Sequence, residues 1–360
     1  SISIDDDATY SNTTAVTLTL GAAGASHMRF KNETNGSWSS YEVYTTTKSW
    51  NLLNTQGSRT VLVQFKDEAG NETDGTTSDE IILDSVAPTA LSIVIDGGAT
   101  YATQMDVTLT LGATGASEMR FKNESTGTWS TYEAYGTIRV WDLGNTQGLR
   151  KVYVQYKDLA GNETYGSTFD SITLDTVAPS APALLLPGDG SFTNDNTVLL
   201  DWDASQTAVS YTIEWADNTS FTTASDYTTS STIYTTPALL DGTWYWRAKA
   251  TDVAGNESDW CPVWSFTVDT VVPEIPTLVT PTDGTFTNNT TPTFTWNPVT
   301  GATSYEIEVD DNANFGTPVV EETVASSTHT AAVMAEGSYQ WRVKAIDAAG
   351  NESDYSLVWM

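Results

Sequence analysis

A single cysteine, Cys261, in 360 residues leaves no partner for an intrachain disulfide and no thiolate cluster for a metal. Whatever folds here is held by packing. Long hydrophobic runs are missing too: no stretch of 18 apolar residues occurs, which excludes a membrane-spanning helix from this sequence. Ser1 opens directly into an alternating strand pattern with no apolar leader, as expected of a mature or excised piece. No segment sustains a helical period. Basic residues are scarce, 15 Lys and Arg against 46 Asp and Glu, for a net charge of −31. Such a surface repels nucleic acid and anionic lipid and offers carboxylates to cations. The two histidines, His27 and His329, stand without a nearby nucleophile motif, so neither makes a convincing catalytic base.

What the chain has in abundance is repetition. Asp67-Glu68-Ala69-Gly70-Asn71-Glu72 returns as Asp158-Leu159-Ala160-Gly161-Asn162-Glu163, as Asp252-Val253-Ala254-Gly255-Asn256-Glu257 and as Asp347-Ala348-Ala349-Gly350-Asn351-Glu352. Successive copies lie 91, 94 and 95 residues apart, a domain-sized period rather than that of a solenoid or propeller. Four modules are therefore expected, over residues 1–88, 89–179, 180–273 and 274–360. Their net charges are −7, −4, −10 and −10, so the acidity runs along the whole chain, as suits a soluble secreted surface.

Within each module the apolar residues alternate. Val16, Leu18 and Leu20 are separated by threonines, Met28 and Phe30 by Arg29, and Val61, Val63 and Phe65 by Leu62 and Gln64. Period two over short runs broken by turn residues predicts an all-β fold of four tandem β-sandwiches. Module two repeats module one at an offset of 91, Met119, Phe121, Trp129, Trp141 and Tyr156 answering Met28, Phe30, Trp38, Trp50 and Phe65. Modules three and four change the strands but keep the loop. There Trp246 and Trp341 are expected inside, and Glu306 and Glu308 are expected to pair across strands with Lys344 and Arg342, worth at most about 1 kcal/mol each.

The Met-Arg-Phe strand, the Trp-Ser turn and the Asp-x-Ala-Gly-Asn loop of modules one and two resemble bacterial immunoglobulin-like repeats of large secreted and surface proteins. The Tyr-x-Ile-Glu strand and the Trp-Arg-x-Lys-Ala strand of modules three and four are similar to bacterial fibronectin type III-like repeats. The resemblance implies a non-enzymatic, extracellular or cell-surface role as a structural or adhesive stalk or filament component. Two alternatives travel with it: an accessory, carbohydrate-binding or spacer region of a secreted polysaccharide-acting enzyme, and a calcium-stiffened adhesin segment. The implied partners are other domains of the same long chain, copies of itself or surface glycans; no cofactor is required.

Calcium is the metal the repeated loops suit, because it takes hard oxygen ligands. The candidate ligands are Asp67, Asn71 and Glu72 with linker residue Asp84; Asp158, Asn162 and Glu163 with Asp175; Asp252, Asn256 and Glu257 with Asp269; and Asp347 with Asn351. The competing reading is a turn in which the Asp side chain bonds backbone amides around a positive-φ glycine. Short linkers ending in Pro88, Pro179 and Pro273 predict restricted junctions and a stiff array, with modules roughly 35 to 45 Å long. Trp50 and Trp141 are expected inward, leaving Trp38, Trp129, Trp260 and Trp264 as candidates for exposed sugar-stacking rings. The closing strand of module four, which begins at Val358-Trp359-Met360, is shorter than its counterpart Val263–Asp269. Two expectations attach to that shortness: a longer parent chain, or a strand supplied by a neighbouring subunit.

Overall fold

The computed structural model describes residues 1–360. The alternating runs form strands, and each module pairs a three-stranded sheet with a second sheet. In module one the smaller sheet orders Ile2–Ile4, Ala15–Leu20 and Thr47–Asn51. The larger orders Tyr10–Ser11, Thr77–Leu83, Gly57–Lys66, His27–Asn32 and Glu42–Val43. Every pairing is antiparallel except that of Tyr10–Ser11, which runs parallel to Ile82 and Leu83. Modules two and three repeat this 3 + 5 arrangement. In module four the second sheet has three strands, Val320–Val324, Ala302–Asp310 and Gln340–Asp347. Trp359 makes a single bridge to Trp341 where module three has the full strand Trp264–Val268.

The period-two pattern sorts the side chains. Val16, Leu18 and Leu20 are buried while Ala15, Thr17 and Thr19 face solvent. Four separate cores result, one per module, drawn from residues 4–83, 93–174, 184–268 and 278–345. Module two adds the phenolic ring of Tyr156 and module three the indoles of Trp202 and Trp246, all fully buried. By compactness the chain divides into two units, Ser1–Thr176 and Val177–Met360, each containing two of these cores.

The expected ion pairs of module four are present. Glu306 stands opposite Lys344 and Glu308 opposite Arg342, with N–O separations of 3.1 and 2.6 Å. Glu214 and Arg247 make the same pair in module three, at 2.7 Å. The expectation for the tryptophans needs correction. Trp50 and Trp141 do pack on their cores, but Trp38, Trp129, Trp260 and Trp264 are half-buried rather than exposed. The first three lie beneath cations: Arg29 and Lys31 stand 5.2 and 4.9 Å from the Trp38 ring, Arg120 and Lys122 5.4 and 4.9 Å from Trp129, and Arg247 and Lys249 4.4 and 5.2 Å from Trp260. Cation–π attraction of this kind holds a ring flat on the sheet. Gly75 and Gly166 let two of these indoles lie close, since a Cβ there would stand 3.0 and 2.7 Å from Cζ2 of Trp38 and Trp129. Trp264 instead packs on the module-three core.

Candidate functional site: the repeated loop and the linker

Each copy of the loop closes on itself. Gly70, Gly161, Gly255 and Gly350 sit at φ between +87° and +96°, a conformation glycine adopts without strain. That turn brings the Asn back over the Asp. Asp67 accepts the Asn71 main-chain N–H and the Asn71 Nδ2, both at 2.8 Å. Asp158 does the same with Asn162 at 2.8 and 2.9 Å, Asp252 with Asn256 at 2.9 and 3.0 Å, and Asp347 with Asn351 at 2.9 Å twice. The Asn carbonyl in turn accepts the Asp N–H in all four.

The other candidate ligands go elsewhere. Glu72 and Glu163 reach Arg29 and Arg120, each at 3.5 Å, while Glu257 and Glu352 pair with Lys249 and Lys344 at 2.6 and 2.8 Å. The carboxylates of Asp84 and Asp269 accept from Val86 and Val271 within their own linkers, and the Asp175 N–H donates to the Ala102 carbonyl. The structure therefore unites each Asp with its Asn, while the Glu of each copy turns to a basic side chain. Three carboxylates converge only at Glu306, Glu308 and Glu321, and there Arg342, Lys344 and Tyr355 already engage the first two. This geometry is that of the turn reading.

What the loop does contact is the neighbouring module. Asn162 Nδ2 donates to the main-chain carbonyl of Asp84 at 2.7 Å, and Asn351 Nδ2 to that of Asp269 at 2.7 Å. The loops of modules two and four thus grip the ends of modules one and three. Burial follows: Asn71 is exposed, Asn162 half-buried and Asn351 buried. From the other side the linker is held by its own module. Gln56 accepts from the Ser85 N–H and donates to its hydroxyl, Gln147 repeats this with Thr176, and Asp241 accepts from the N–H and hydroxyl of Thr270.

Sequence reasoning missed Gln56, Gln147 and Asp241, although each stands 29 residues before the linker hydroxyl it serves. It also missed the hydroxyls two residues after the Asn. Thr73, Thr164, Ser258 and Ser353 accept the N–H of Phe65, Tyr156, Ala250 and Ala345. The available signal was an Asn-Glu-Thr/Ser triplet in every copy. Ser26 Oγ lies 3.0 Å from His27 Nδ1, yet it directs its proton to the Lys66 carbonyl. Ser117 keeps that bond beside Glu118 in module two, so the Ser–His contact is a by-product of strand pairing.

The loop sets a pH dependence. Hydrogen bonds from the Asn71 side chain and backbone hold Asp67 below the usual carboxylate range. For Asp252, burial pushes upward, but the bonds from Asn256, Ala254 and Gly255 outweigh it and the net displacement is downward. A carboxylate whose folded pKa is depressed stabilises the fold above its unfolded pKa, near 3.8, and loses that contribution as pH falls through the folded value. We expect the difference in urea midpoint between the parent chain and Asp252→Asn to be constant from neutral pH to about pH 4 and to shrink below it. A difference that grew on acidification would contradict this assignment.

Comparison with known proteins bears on modules three and four most directly. Residues 188–270 and 279–359 match the family described as bacterial Ig-like domain. A 230-residue stretch is 30% identical to exoglucanase B of Cellulomonas fimi, covering 60% of this chain and 20% of that protein. The chain thus spans about one fifth of the relative's length. Among solved structures, the chicken CNTN1 FN1-FN3 domains align at 14% identity over 75% of this chain and 96% of theirs, with a TM-score of 0.35. The fibronectin(III)-like modules of Clostridium thermocellum CbhA align at 13% identity over 48% and 93%, with a TM-score of 0.33. The class the fold defines is a tandem array of β-sandwiches, and two of its four modules are similar to bacterial Ig-like domains in sequence. No helix is long and apolar enough to cross a membrane.

Proposed function

We propose that this chain is a non-catalytic, extracellular spacer between other domains of its parent chain, with the first and third of its junctions fixed. The supporting observation is the bond from Asn162 to the Asp84 carbonyl, repeated from Asn351 to the Asp269 carbonyl. Each clamps a linker that its own module already holds through Gln56 or Asp241. Likeness to exoglucanase B favours a region of a secreted polysaccharide-acting enzyme as the setting of that spacer; the adhesive stalk or filament has no observation of its own.

Limited proteolysis tests the clamp. Val86, 55% exposed in the first linker, is a thermolysin target by chemistry but is held in place. We expect Asn162→Ala to raise cleavage at Val86 roughly tenfold while leaving the linker at Val271 unchanged, because cleavage samples local opening. Equal cleavage rates in parent and variant would sink the clamp.

A further inference from the structure

Modules one and two are close copies, so the places where they diverge together are informative, and one such place is the outer face of the larger sheet of module two. In module one a cross-strand row reads Lys31, Leu62 and Ser78, with Thr60 opposite Glu80 beside it. The same rows in module two read Lys122, Tyr153 and Phe169, with Lys151 opposite Ser171. Exposed Asp74 becomes Tyr165, which is fully exposed. In these rows one carboxylate, Glu80, has been lost, and one lysine and two aromatic rings have been gained.

The new side chains form a continuous surface. The rings of Tyr153 and Phe169 lie 5.0 Å apart at 32°, and Phe169 is 46% exposed. Lys122 Nζ stands 5.3 Å from the Tyr153 ring and Lys151 Nζ 5.1 Å from the Phe169 ring. Eleven of the fifteen basic residues are engaged in ion pairs. Lys122 and Lys151 are two of the four that are not, although Lys122 Nζ donates to the Ser125 main-chain carbonyl at 2.6 Å. Module two thus presents unneutralised cations over aromatic faces on the least acidic module of a chain of charge −31.

We propose that this face binds an acidic polysaccharide, a single strand lying along the exposed edge of the Tyr153–Phe169 pair with its carboxylates meeting Lys122 and Lys151. Aromatic faces offer large apolar contact at low entropic cost, and two ammonium groups with no carboxylate partner supply charge complementarity. Charge also selects among anionic partners. A duplex or a membrane would bring broad negative charge against the surrounding carboxylates, whereas a single glycan strand meets the row alone. The proposal is independent of the spacer reading, since a fixed junction can carry this face or lack it.

The test is isothermal titration of the whole chain with hexagalacturonate at low and at physiological salt. Lys151→Thr, Tyr153→Leu and Phe169→Ser install the residues module one carries at these positions, and thermal melting followed by circular dichroism checks that each variant folds. We expect saturable binding that weakens with salt and falls about tenfold in each variant, with the thermolysin pattern at Val86 unchanged. The proposal is overturned if binding is absent, if the three variants bind like the parent, if neutral cellohexaose binds as tightly, or if oligo(dT) or anionic vesicles bind more tightly.

Discussion

Replacing Trp246 with alanine is expected to cost module three about 3–5 kcal/mol, the range for truncating a large buried aromatic. Trp246 is fully buried on the strand Gly242–Asp252, with its ring centroid 6.5 Å from that of Trp202, which in turn packs edge-on against Tyr211 at 5.7 Å. Its Nε1 makes no hydrogen bond, so truncation unpairs nothing polar; the loss is of contact and volume. A domain of this size holds about 5–15 kcal/mol in all, so the variant should sit near the edge of folding. Urea titration should show one transition displaced strongly to lower denaturant and the others in place. A loss below about 1 kcal/mol would mean that the two sheets can close over the cavity, contrary to the packing behaviour of such cores.

Asn351→Ala carries the second largest effect, and it acts through polar groups. Asn351 is buried, and its amide serves both Asp347 Oδ2 and the Asp269 carbonyl. Alanine leaves a largely buried carboxylate oxygen and a linker carbonyl without these donors. The expected cost is about 2–3 kcal/mol in module four, as for buried acceptors left unpaired. Asn71→Ala, at an exposed loop where the amide's bond is to Asp67, should cost only about 0.5–1 kcal/mol. Asn162→Ala, half-buried, should fall between. The order Asn71, Asn162, Asn351 is the content of the prediction, and equal costs at all three would place the energy within the loop instead of at the junction.

Much of the fold was legible because period two is a local signal. Val16, Leu18 and Leu20 declare their strand by alternation alone, and pairing between Glu308 and Arg342 followed once two strands were taken as neighbours. The two-residue strand Tyr10–Ser11 was not legible, because two residues carry no period and its pairing to Ile82 and Leu83 is set by the tertiary fold. The loop was found from repetition, but its role was hidden. The Asp–Asn bond spans four residues and follows from the turn, whereas Asn162 meets Asp84 across 78 residues and Asn351 meets Asp269 across 82. Donor chemistry was legible where its geometry was not. Asp, Asn and Glu in six residues suit a calcium loop, and the structure adds that the turn sends Glu72 toward Arg29 while Asp67 accepts from the Asn71 amides. The indoles of Trp38 and Trp129 looked exposed because no alternation buries them, and it is the overlying Arg and Lys stems that cover them.

The most direct test of the central claim is the distance between modules one and two, measured by double electron–electron resonance. Nitroxide labels would be placed at exposed Ser40→Cys and Thr131→Cys, which occupy matching positions in the two modules. Cys261→Ser supplies a label-free background, since Ser356 accepts the same type of backbone bond in module four that Cys261 accepts in module three. Fixed junctions predict one narrow distance population, broadened when Asn162 is replaced by alanine. A distribution already broad in the parent, and unchanged by Asn162→Ala, would contradict the account.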